Sequence, residues 1–285
     1  MNSTIESIID SAGLETVQNF RSVSGGSINE AFEVETDSET LFLKVNSASL
    51  HPNMFETESA GLLLLSESDF IVPKPKLVGV KEDSQFILME WIEQGPESSD
   101  FWNEFGRSLA NLHLQNWGKF GLDHDNYIGS LRQTNNWQNS WSEFYTRERL
   151  IPQMELAAQN GRLSANMKTG FEIIFKKLED IYSEEKPSLL HGDLWSGNLM
   201  VSSKGNPCIF DPAIYYGHRE MDLAMMALFG GFGDEWVDSY NEIYPLENGW
   251  EERLVIGQLY PLMVHVNLFG GTYARRVESI LQKFM

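Results

Sequence analysis

Several features are scarce or missing in this sequence of 285 residues. Cys208 is the only cysteine, so no internal disulfide can form, which favours a reducing compartment. No apolar run approaches the roughly 18 residues that a membrane-spanning helix needs. The first residues also lack a basic start followed by an apolar stretch, so we expect no signal peptide. These absences predict a cytoplasmic protein that does not interact with membranes.

Basic residues are scarce as well. The chain has 21 Lys and Arg against 41 Asp and Glu, and its formal net charge is −20. So much negative charge disfavours nucleic acid and anionic lipid as partners, and most of it is explained by a solvated acidic surface. Apolar residues, in contrast, make up 42% of the chain, enough for one large domain or two lobes with a real core. No pattern indicates an oligomer, and we expect a monomer.

The order of the sequence patterns predicts two lobes. A short amphipathic helix is expected over residues 3–19, followed by strands in "SVSGGSINEAFEVET" and "ETLFLKVN", a helix in "FETESAGLLLLSES" and two strands in "LVGVKEDSQFILMEWIE". From "FWNEFGRSLANLHLQ" onward the pattern is mostly helical. We therefore predict an α+β fold, with a small β-rich lobe over residues 1–93 and a larger α-rich lobe over residues 94–285.

A glycine-rich turn is the first candidate for chemistry. Phosphoryl transfer from ATP needs a backbone cradle for phosphates, a cation, oxygen ligands for magnesium, and a base for the acceptor hydroxyl. Gly25, Gly26 and Ser27 are small residues between two predicted strands, where backbone N–H groups could approach a phosphate. Taken alone, these three residues favour a plain hairpin turn over a phosphate cradle. The chain has neither a Walker A loop nor a GxGxxG fingerprint.

Lys44 is the candidate cation. It lies in the predicted strand "LFLKVN", where alternation puts it on the face opposite Leu41 and Leu43. A lysine among apolar neighbours either extends to solvent or has a partner. Glu58, in the following predicted helix, is one candidate partner that would hold the ammonium over the phosphates, and Glu56 is the other.

The segment "LLHGDLWSGNLM" carries the most specific signal. Asp193 and Asn198 have the spacing of a kinase catalytic loop, in which the aspartate accepts the proton of the acceptor hydroxyl and the asparagine binds metal. Asp211 follows the apolar run "CIF", which predicts a short strand. Since magnesium needs few protein oxygens beside phosphate and water, Asn198 and Asp211 suffice as its ligands. We interpret His191 as a structural residue that braces the loop.

Asp222 is predicted to support that loop. It lies in "GHREMDLAMMALFGG", which predicts a helix that is apolar almost all round. A buried carboxylate must be paired or hydrogen-bonded. We expect the backbone of the catalytic loop to supply the donors, which gives Asp222 a structural role.

At these motifs the sequence resembles the fructosamine kinase (ketosamine kinase) family. This family is a branch of the aminoglycoside phosphotransferase group, in the protein-kinase-like superfamily. The motifs that carry the resemblance include "HGDLWSGN", "DPAIYYGHREMDLAM", "GGSINEAF", "FETESAGL" and "LYPLMVHVNLFGGTY". It extends over nearly the whole chain, and it implies a bilobal protein-kinase-like fold that uses ATP and Mg2+.

The resemblance also implies a role for individual residues. Asp193 would be the catalytic base, and Trp195 would contact the sugar-amine, because an indole face suits both sugar C–H groups and cations. Core packing is the alternative for Trp195. Asn198 and Asp211 would be the magnesium ligands, and Lys44 with Glu58 would position the phosphates. The backbone of Met89, Glu90 and Ile92 would line the adenine pocket. We expect the charged groups to converge around a metal-bound triphosphate between the lobes.

Three functions follow as hypotheses. The first is ATP-dependent phosphorylation of a ketosamine of the fructosamine or ribulosamine type, free or on protein lysines, in the repair of glycation. The second is a kinase for another small aminated alcohol, such as choline or an aminoglycoside. The third is a nucleotide-binding protein without catalysis, against which stands the complete set of Lys44, Asp193, Asn198 and Asp211. A protein kinase is disfavoured because no DFG or APE segment is present.

Overall fold

The chain forms two compact units. The structure is a computed structural model that describes residue 5 and residues 7–9, 17–23 and 28–285. The first unit comprises Met1–Phe101 with Met200–Asp211, and the second comprises Trp102–Leu199 with Pro212–Met285. The predicted division after residue 93 is a single cut, whereas these units divide the chain at three points.

The first unit is built on a five-stranded antiparallel sheet with the order β1-β2-β3-β5-β4. Its strands are β1 (Val17–Ser22), β2 (Glu30–Thr36), β3 (Thr40–Ser47), β4 (Pro75–Lys81) and β5 (Ser84–Glu90). One helix, α1 (Met54–Leu65), connects β3 to β4. Within the described residues, the strand, helix and strand-pair predictions for this part of the chain are thereby confirmed.

Alternation along β3 explains which side chains form the core of this sheet. Leu41, Leu43 and Val45 are buried and pack with apolar residues of the neighbouring strands, among them Val34 and Leu88. Successive side chains of a strand point to opposite faces, so the residues between them face the other side. Lys44 is therefore on the face opposite this cluster, as predicted.

The helix predicted over residues 3–19 is wrong at its C-terminal end. Residue 5 and residues 7–9 are helical, but Val17–Ser22 forms β1, which pairs with β2 from Val17↔Thr36 to Ser22↔Phe32. Polar and apolar residues in a short stretch fit either period, and pairing with a distant strand decides between them.

Residues 200–211 add a small sheet to the first unit. The strands β9 (Leu199–Val201) and β10 (Pro207–Ile209) are hydrogen-bonded neighbours. Cys208 forms a parallel bridge with Ile71, and the N–H of Gly95 donates to the carbonyl of Val201 at 3.1 Å. These contacts attach the segment that ends at Asp211 to the β-rich unit, 2 residues beyond the end of β10.

The second unit is mostly helical. Its longer helices are α2 (Phe101–Leu114), α4 (Ile151–Gln159), α5 (Ala165–Ile181), α6 (Glu220–Phe229), α7 (Trp236–Ile243), α8 (Trp250–Gly257), α9 (Leu259–Phe269) and α10 (Thr272–Gln282). A short helix α3 (Trp141–Phe144) continues into a π-helical turn, Tyr145–Leu150, before α4. Short strand pairs join β6 (Asn126–Ile128) to β7 (Leu131–Gln133) and β8 (Ser188–Leu190) to β11 (Tyr215–Gly217).

The periodicity of the helices explains their place in this unit. Along α5 the buried residues Met167, Phe171, Ile174 and Leu178 recur at three- and four-residue intervals and form one apolar face. In α9 almost every residue from 259 to 267 is buried, so that helix lies in the core. Buried residues of both helices belong to the same core cluster as Leu190 and Tyr215, which lie on the strands next to the candidate catalytic loop.

The pairing of β8 with β11 fixes where that loop begins. Leu190 pairs with Tyr215, and the next residue, His191, accepts a hydrogen bond on its carbonyl from the N–H of Ala213 at 2.9 Å. Both strands are short and lie in the interior. The loop from His191 onward therefore starts from a rigid, buried position.

No helix in the described part of the chain, residues 5, 7–9, 17–23 and 28–285, is long and apolar enough to cross a membrane.

Candidate active site

Lys44 is the centre of a buried charge cluster in the first unit. Its Nζ donates to Glu58 Oε1 at 2.8 Å and to Asp211 Oδ1 at 2.5 Å. The side chain of Lys44 is 7% exposed and that of Glu58 is 11% exposed, while Asp211 is 42% exposed. Glu56, the competing partner, is exposed. The structure therefore pairs Lys44 with Glu58 and adds Asp211, a contact that the sequence did not predict.

The two carboxylates keep Lys44 charged. Burial alone would lower the pKa of Lys44, but the charges of Asp211 and Glu58 outweigh it and raise that pKa above its ordinary value. Burial raises the pKa of Glu58 against the opposing attraction of Lys44. An ammonium group held in this way is a fixed positive charge, suited to hold phosphate oxygens.

Asp211 has an unusual backbone. Its φ of 57° lies in the left-handed region, which residues other than glycine rarely adopt. Such conformations cost free energy and cluster at functional sites. Asp211 thus combines backbone strain, a partly exposed carboxylate and a contact with the buried Lys44.

The candidate catalytic loop of the second unit is held by Asp222. The carboxylate of Asp222 accepts hydrogen bonds from the backbone N–H groups of His191 at 2.8 Å and Gly192 at 2.9 Å. Asp222 is 1% exposed, and a buried carboxylate needs hydrogen-bond donors, which these two N–H groups supply. This is the supporting role that the sequence predicted.

Asp193 and Asn198 are in direct contact. The Nδ2 of Asn198 donates to the backbone carbonyl of Asp193 at 2.9 Å and to its Oδ2 at 3.1 Å. The N–H of Asp193 donates to Nδ1 of His191 at 3.3 Å, so His191, which is fully buried, braces the loop from beneath. The loop thereby holds the carboxylate of Asp193 in one orientation.

A glycine in the loop has no substitute. Gly192 has a φ of 81°, and a Cβ at this position would lie 2.0 Å from the carbonyl oxygen of Ala213. Real Cβ atoms do not approach backbone oxygens so closely. Only glycine allows β8 to turn into the loop here, which places Asp193 beside its partners.

Sequence reasoning missed two residues beneath the loop. His113 Nε2 lies 3.3 Å from Asp222 Oδ2, and His113 Nδ1 lies 2.8 Å from the hydroxyl of Tyr240. His113 is 1% exposed and ends the apolar face of α2. A histidine at the end of a buried helix face was a usable signal, but its partner, 109 residues away, was not predictable from local pattern.

Trp195 is 39% exposed, which excludes full burial in the core. Its ring lies across Gly197, where a Cβ would meet Trp195 Cη2 at 2.2 Å, and its centroid is 5.8 Å from that of Phe229. The indole is therefore held in place on the loop that carries Asp193, while part of it remains accessible.

The other predicted nucleotide contacts are less defined. Met89 and Glu90 end β5, with Met89 buried and Glu90 exposed, and Ile92 follows the strand. The N–H of Glu90 donates to the carbonyl of Lys74 at 2.9 Å. Gly25, Gly26 and Ser27 lie outside the described residues. The predicted residues thus form two groups, Lys44 with Glu58 and Asp211 in the first unit, and Asp193 with Asn198 and Trp195 in the second.

The proposed magnesium ligands have suitable chemistry. Because Asn198 donates through Nδ2 to Asp193, its carbonyl oxygen is the atom that can coordinate a cation. Asp211 offers a partly exposed carboxylate. Among residues 5, 7–9, 17–23 and 28–285, no group of three or more His, Cys, Asp or Glu could hold a metal ion. Magnesium itself is usually held by few protein oxygens together with phosphates and water.

Comparisons with known proteins show what the chain is similar to. The fructosamine kinase family model matches residues 1–285. A probable ketoamine kinase of Enterococcus faecium is 40% identical over 271 residues, which cover 92% of this chain and 94% of the relative. A chloroplastic protein-ribulosamine 3-kinase of Oryza sativa subsp. japonica is 38% identical over 270 residues, or 93% of this chain and 78% of the relative.

Solved structures agree with the predicted fold. A candidate fructosamine-3-kinase from Thermobifida fusca matches with a TM-score of 0.87 at 33% identity, covering 99% of this chain and 98% of the other. The aminoglycoside phosphotransferase APH(4)-Ia matches with a TM-score of 0.67 at 15% identity, covering 100% and 99%. The second likeness concerns the fold alone. Together they confirm an α+β, protein-kinase-like fold with a β-rich first part and an α-rich second part.

Proposed function

The chain belongs to the fructosamine kinase family, and from this membership we propose that it transfers the γ-phosphoryl group of ATP to a sugar hydroxyl of a ketosamine. The observation that carries the proposal is the contact between Asp193 and Asn198, in a loop braced by Asp222. The chemistry is that of an ATP-dependent small-molecule kinase. Phosphorylation near the keto carbon makes the adduct prone to release its amine, which suits the repair of glycation.

Asp193 is the proposed base. Its carboxylate accepts the proton of the acceptor hydroxyl as that oxygen attacks the γ-phosphorus and the bond to the leaving ADP breaks. Contact with Asn198 keeps the carboxylate aimed in one direction, so little reorientation is needed at the moment of transfer.

Lys44 is proposed to hold the phosphates, with Glu58 fixing its direction. Asn198 and Asp211 are the proposed ligands of Mg2+, which when bound neutralises charge on the phosphates. Gly25, Gly26 and Ser27 would contribute backbone N–H groups to the phosphates, and Met89, Glu90 and Ile92 would line the adenine pocket through their backbone. In this proposal residues 1–93 bind the nucleotide and residues 94–285 carry the catalytic and acceptor-binding groups.

Trp195 is the proposed contact for the sugar-amine. Its indole is partly exposed two residues after Asp193 in the sequence, and it can stack on sugar C–H groups or on the protonated amine. The acceptor is a fructosamine or a ribulosamine, and the rice relative's name points to protein-bound ribulosamines as one such class. Glycated lysine residues on proteins are also proposed acceptors. We further propose that the protein is a cytoplasmic monomer without nucleic-acid or membrane partners.

An assay of ADP release tests the proposed function. Purified protein would be incubated with Mg·ATP and a panel of ribulosamines, fructosamines, choline and aminoglycosides. We expect acceptor-dependent ADP release with the ketosamines alone. Release with choline or an aminoglycoside at equal or higher kcat/KM would contradict the assignment of the acceptor, and no acceptor-dependent release would contradict the kinase assignment.

A further inference from the structure

A row of five aromatic rings extends from the candidate catalytic loop across the second unit. Consecutive ring centroids lie 5.8 Å apart for Trp195 and Phe229, 5.1 Å for Phe229 and His265, and 5.5 Å for His265 and Phe269. Tyr273 contacts both His265 at 4.9 Å and Phe269 at 6.4 Å. We call these residues the aromatic row.

Much of the aromatic row faces solvent. Trp195 is 39% exposed, Phe229 38% and Phe269 59%, although large apolar side chains normally avoid water. Adjacent exposed aromatic rings form a continuous apolar patch, and such patches mark sites of binding. The patch includes Trp195, the proposed contact for the sugar-amine, whose backbone N–H donates to the carbonyl of Asp193 at 3.1 Å in the same loop.

Four glycines hold the row in place. Gly230 and Gly231 follow Phe229 with φ values of 70° and 87°, and a Cβ on Gly231 would lie 2.7 Å from Cβ of Ser196 in the catalytic loop. Gly270 and Gly271 follow Phe269, the last residue of α9, with φ values of 67° and 65°. Left-handed backbone at both points requires glycine. Phe229 is thus packed close to the loop and Phe269 lies farther along the row.

The row is uncharged. His265 Nδ1 lies 2.8 Å from the carbonyl oxygen of Pro261. Because that oxygen can only accept, the proton of the neutral ring is on Nδ1. Burial lowers the pKa of His265 below its ordinary value, so the ring is neutral at pH 7. A neutral aromatic surface attracts apolar groups and does not repel a protonated amine.

We propose that the aromatic row is the subsite for the amine half of the acceptor and that it selects ketosamines whose nitrogen carries an extended apolar or aromatic substituent. This inference rests on the proposed function. A ketosamine has two halves, and if Trp195 contacts the sugar-amine junction, the substituent on nitrogen must leave along a neighbouring surface. Phe229, His265 and Phe269 provide that surface, with faces suited to a ring or an alkyl chain.

Two acceptors with the same sugar test the subsite. The benzylamine and methylamine adducts of each sugar, ribulose and fructose, differ only in the nitrogen substituent, so the ratio of their kcat/KM values for the sugar that is phosphorylated isolates its contribution. We expect the wild-type protein to prefer the benzylamine adduct by about three- to tenfold, the range for one or two aromatic contacts. Phe269→Ala and Phe229→Ala should each bring the ratio towards one.

Trp117→Ala is the matched control, because Trp117 is also an exposed aromatic residue of this unit, 58% exposed, but contacts Trp137 and Tyr216 instead of the row. Its ratio should equal that of the wild type. If an alanine variant has a melting temperature so far below that of the wild type that it is unfolded in the assay, the corresponding leucine variant, Phe229→Leu or Phe269→Leu, is used in its place. Equal kcat/KM for both adducts in the wild type, or an unchanged ratio in the row variants, overturns the subsite while the kinase assignment stands. If none of the ribulose or fructose adducts is phosphorylated, both the subsite and the kinase assignment are overturned.

Discussion

Asp193 is the residue on which the proposed chemistry depends most. Its backbone N–H donates to His191, and its carbonyl and Oδ2 both accept from Asn198. The side chain therefore has a fixed direction before any substrate binds. A base fixed in this way contributes to the rate mainly through its ability to accept a proton, which an isosteric amide lacks.

Asp193→Asn should lower kcat by roughly 10²–10⁴-fold, because the amide keeps the shape and the contact with Asn198 but cannot accept the proton. The measurement is steady-state ADP release, with ATP binding followed by calorimetry. Asp123→Asn is the control, since the side chain of Asp123 is 79% exposed in the same unit. Unchanged turnover in Asp193→Asn would exclude the base role.

Two elements position the charged groups, and each does so through its own geometry. On α1, residues two positions apart point in different directions, so Glu58 turns inward to Lys44 while Glu56 faces solvent. After β8, the left-handed Gly192 turns the chain back so that its N–H and that of His191 reach Asp222. Each element allows a paired comparison of variants.

Glu58→Gln should lower kcat/KM for ATP by about tenfold, because Lys44 loses one of its two charged partners and with it a fixed direction. Glu56→Gln removes the same charge from the exposed side of the same helix and should stay within about twofold of the wild type. The measurement is kcat/KM for ATP at saturating acceptor. Equal losses in the two variants would show that Glu58 acts only through overall charge.

Gly192→Ala should abolish activity and lower the free energy of unfolding by several kcal/mol, because its Cβ would overlap the carbonyl of Ala213. Gly161→Ala is the matched comparison: Gly161 has a similar φ of 67°, but no atom lies within 4 Å of its Cβ position. It should cost about 1–2 kcal/mol from backbone strain and leave activity intact. Urea denaturation and turnover of both variants check this, and an active Gly192→Ala enzyme would contradict the account of the loop.

The molecule as a whole keeps several charged groups in its interior. In the second unit Arg219 forms a two-pronged contact with Glu185, at 2.7 and 2.9 Å, and Arg253 forms one with Glu220, at 2.6 and 2.9 Å. Arg219 and Glu220 are nearly inaccessible to solvent. Buried pairs are costly to break, because the remaining charge is left without a partner. A buried titratable group beside these fixed positive charges gains a proton less readily in the folded state than in the unfolded chain. The stability of the fold should then depend on pH.

His218 is the group that should make the fold sensitive to acid. Burial, with the nearby charges of Arg219 and Arg253, lowers the pKa of His218 from 6.5 to about 3 in the folded protein, although Glu185 Oε2 lies 3.7 Å from its Nε2. The unfolded chain binds this proton near pH 6.5, so the contribution to stability is complete above that pH and is lost as the pH falls towards 3. Between pH 6.5 and pH 5 the loss should be about 2 kcal/mol.

The difference in unfolding free energy between pH 7.5 and pH 5 should therefore be about 2 kcal/mol smaller in His218→Gln than in the wild type. An NMR titration of the wild-type imidazole checks the same claim in the folded state. A His218 ring that becomes protonated between pH 6 and pH 7 without unfolding would contradict it.

Local patterns predicted the elements well, and chemical spacing predicted much of the candidate site. Alternation identified β3, and the contact of the buried Asp222 with the backbone of the loop was predicted correctly. The Asp193 to Asn198 spacing predicted the roles of these two residues, which stay predictions, and their direct contact was not predicted. The contact of Lys44 with Asp211 spans 167 residues, so no local pattern encodes it. For the same reason Val17–Ser22, whose strand depends on pairing with β2, was assigned to a helix. Both contacts depend on residues far apart in the sequence, and the local periodicity of a segment carries no information about its distant partners.

The burial of charged side chains is a second feature that could not be predicted from the sequence. A chain with a net charge of −20 suggests that its charged residues are solvated, yet Arg219 is 2% exposed and Arg149 is fully buried. Arg149 lies 3.9 Å from the ring centroid of Tyr215 and donates to Asn135. Whether an arginine is buried depends on partners assembled from distant segments, which only the folded chain brings together.

Formation of the phosphorylated ketosamine is the most direct test of the account. Mg·ATP would be incubated with the protein and, in separate samples, a fructosamine and a ribulosamine, and 31P NMR would follow ATP, ADP, inorganic phosphate and sugar phosphate together. We predict one equivalent of phosphorylated ketosamine for each ADP, and loss of both products in Asp193→Asn. Release of ADP with inorganic phosphate and no phosphorylated sugar would contradict the claim that these residues transfer a phosphoryl group to a ketosamine.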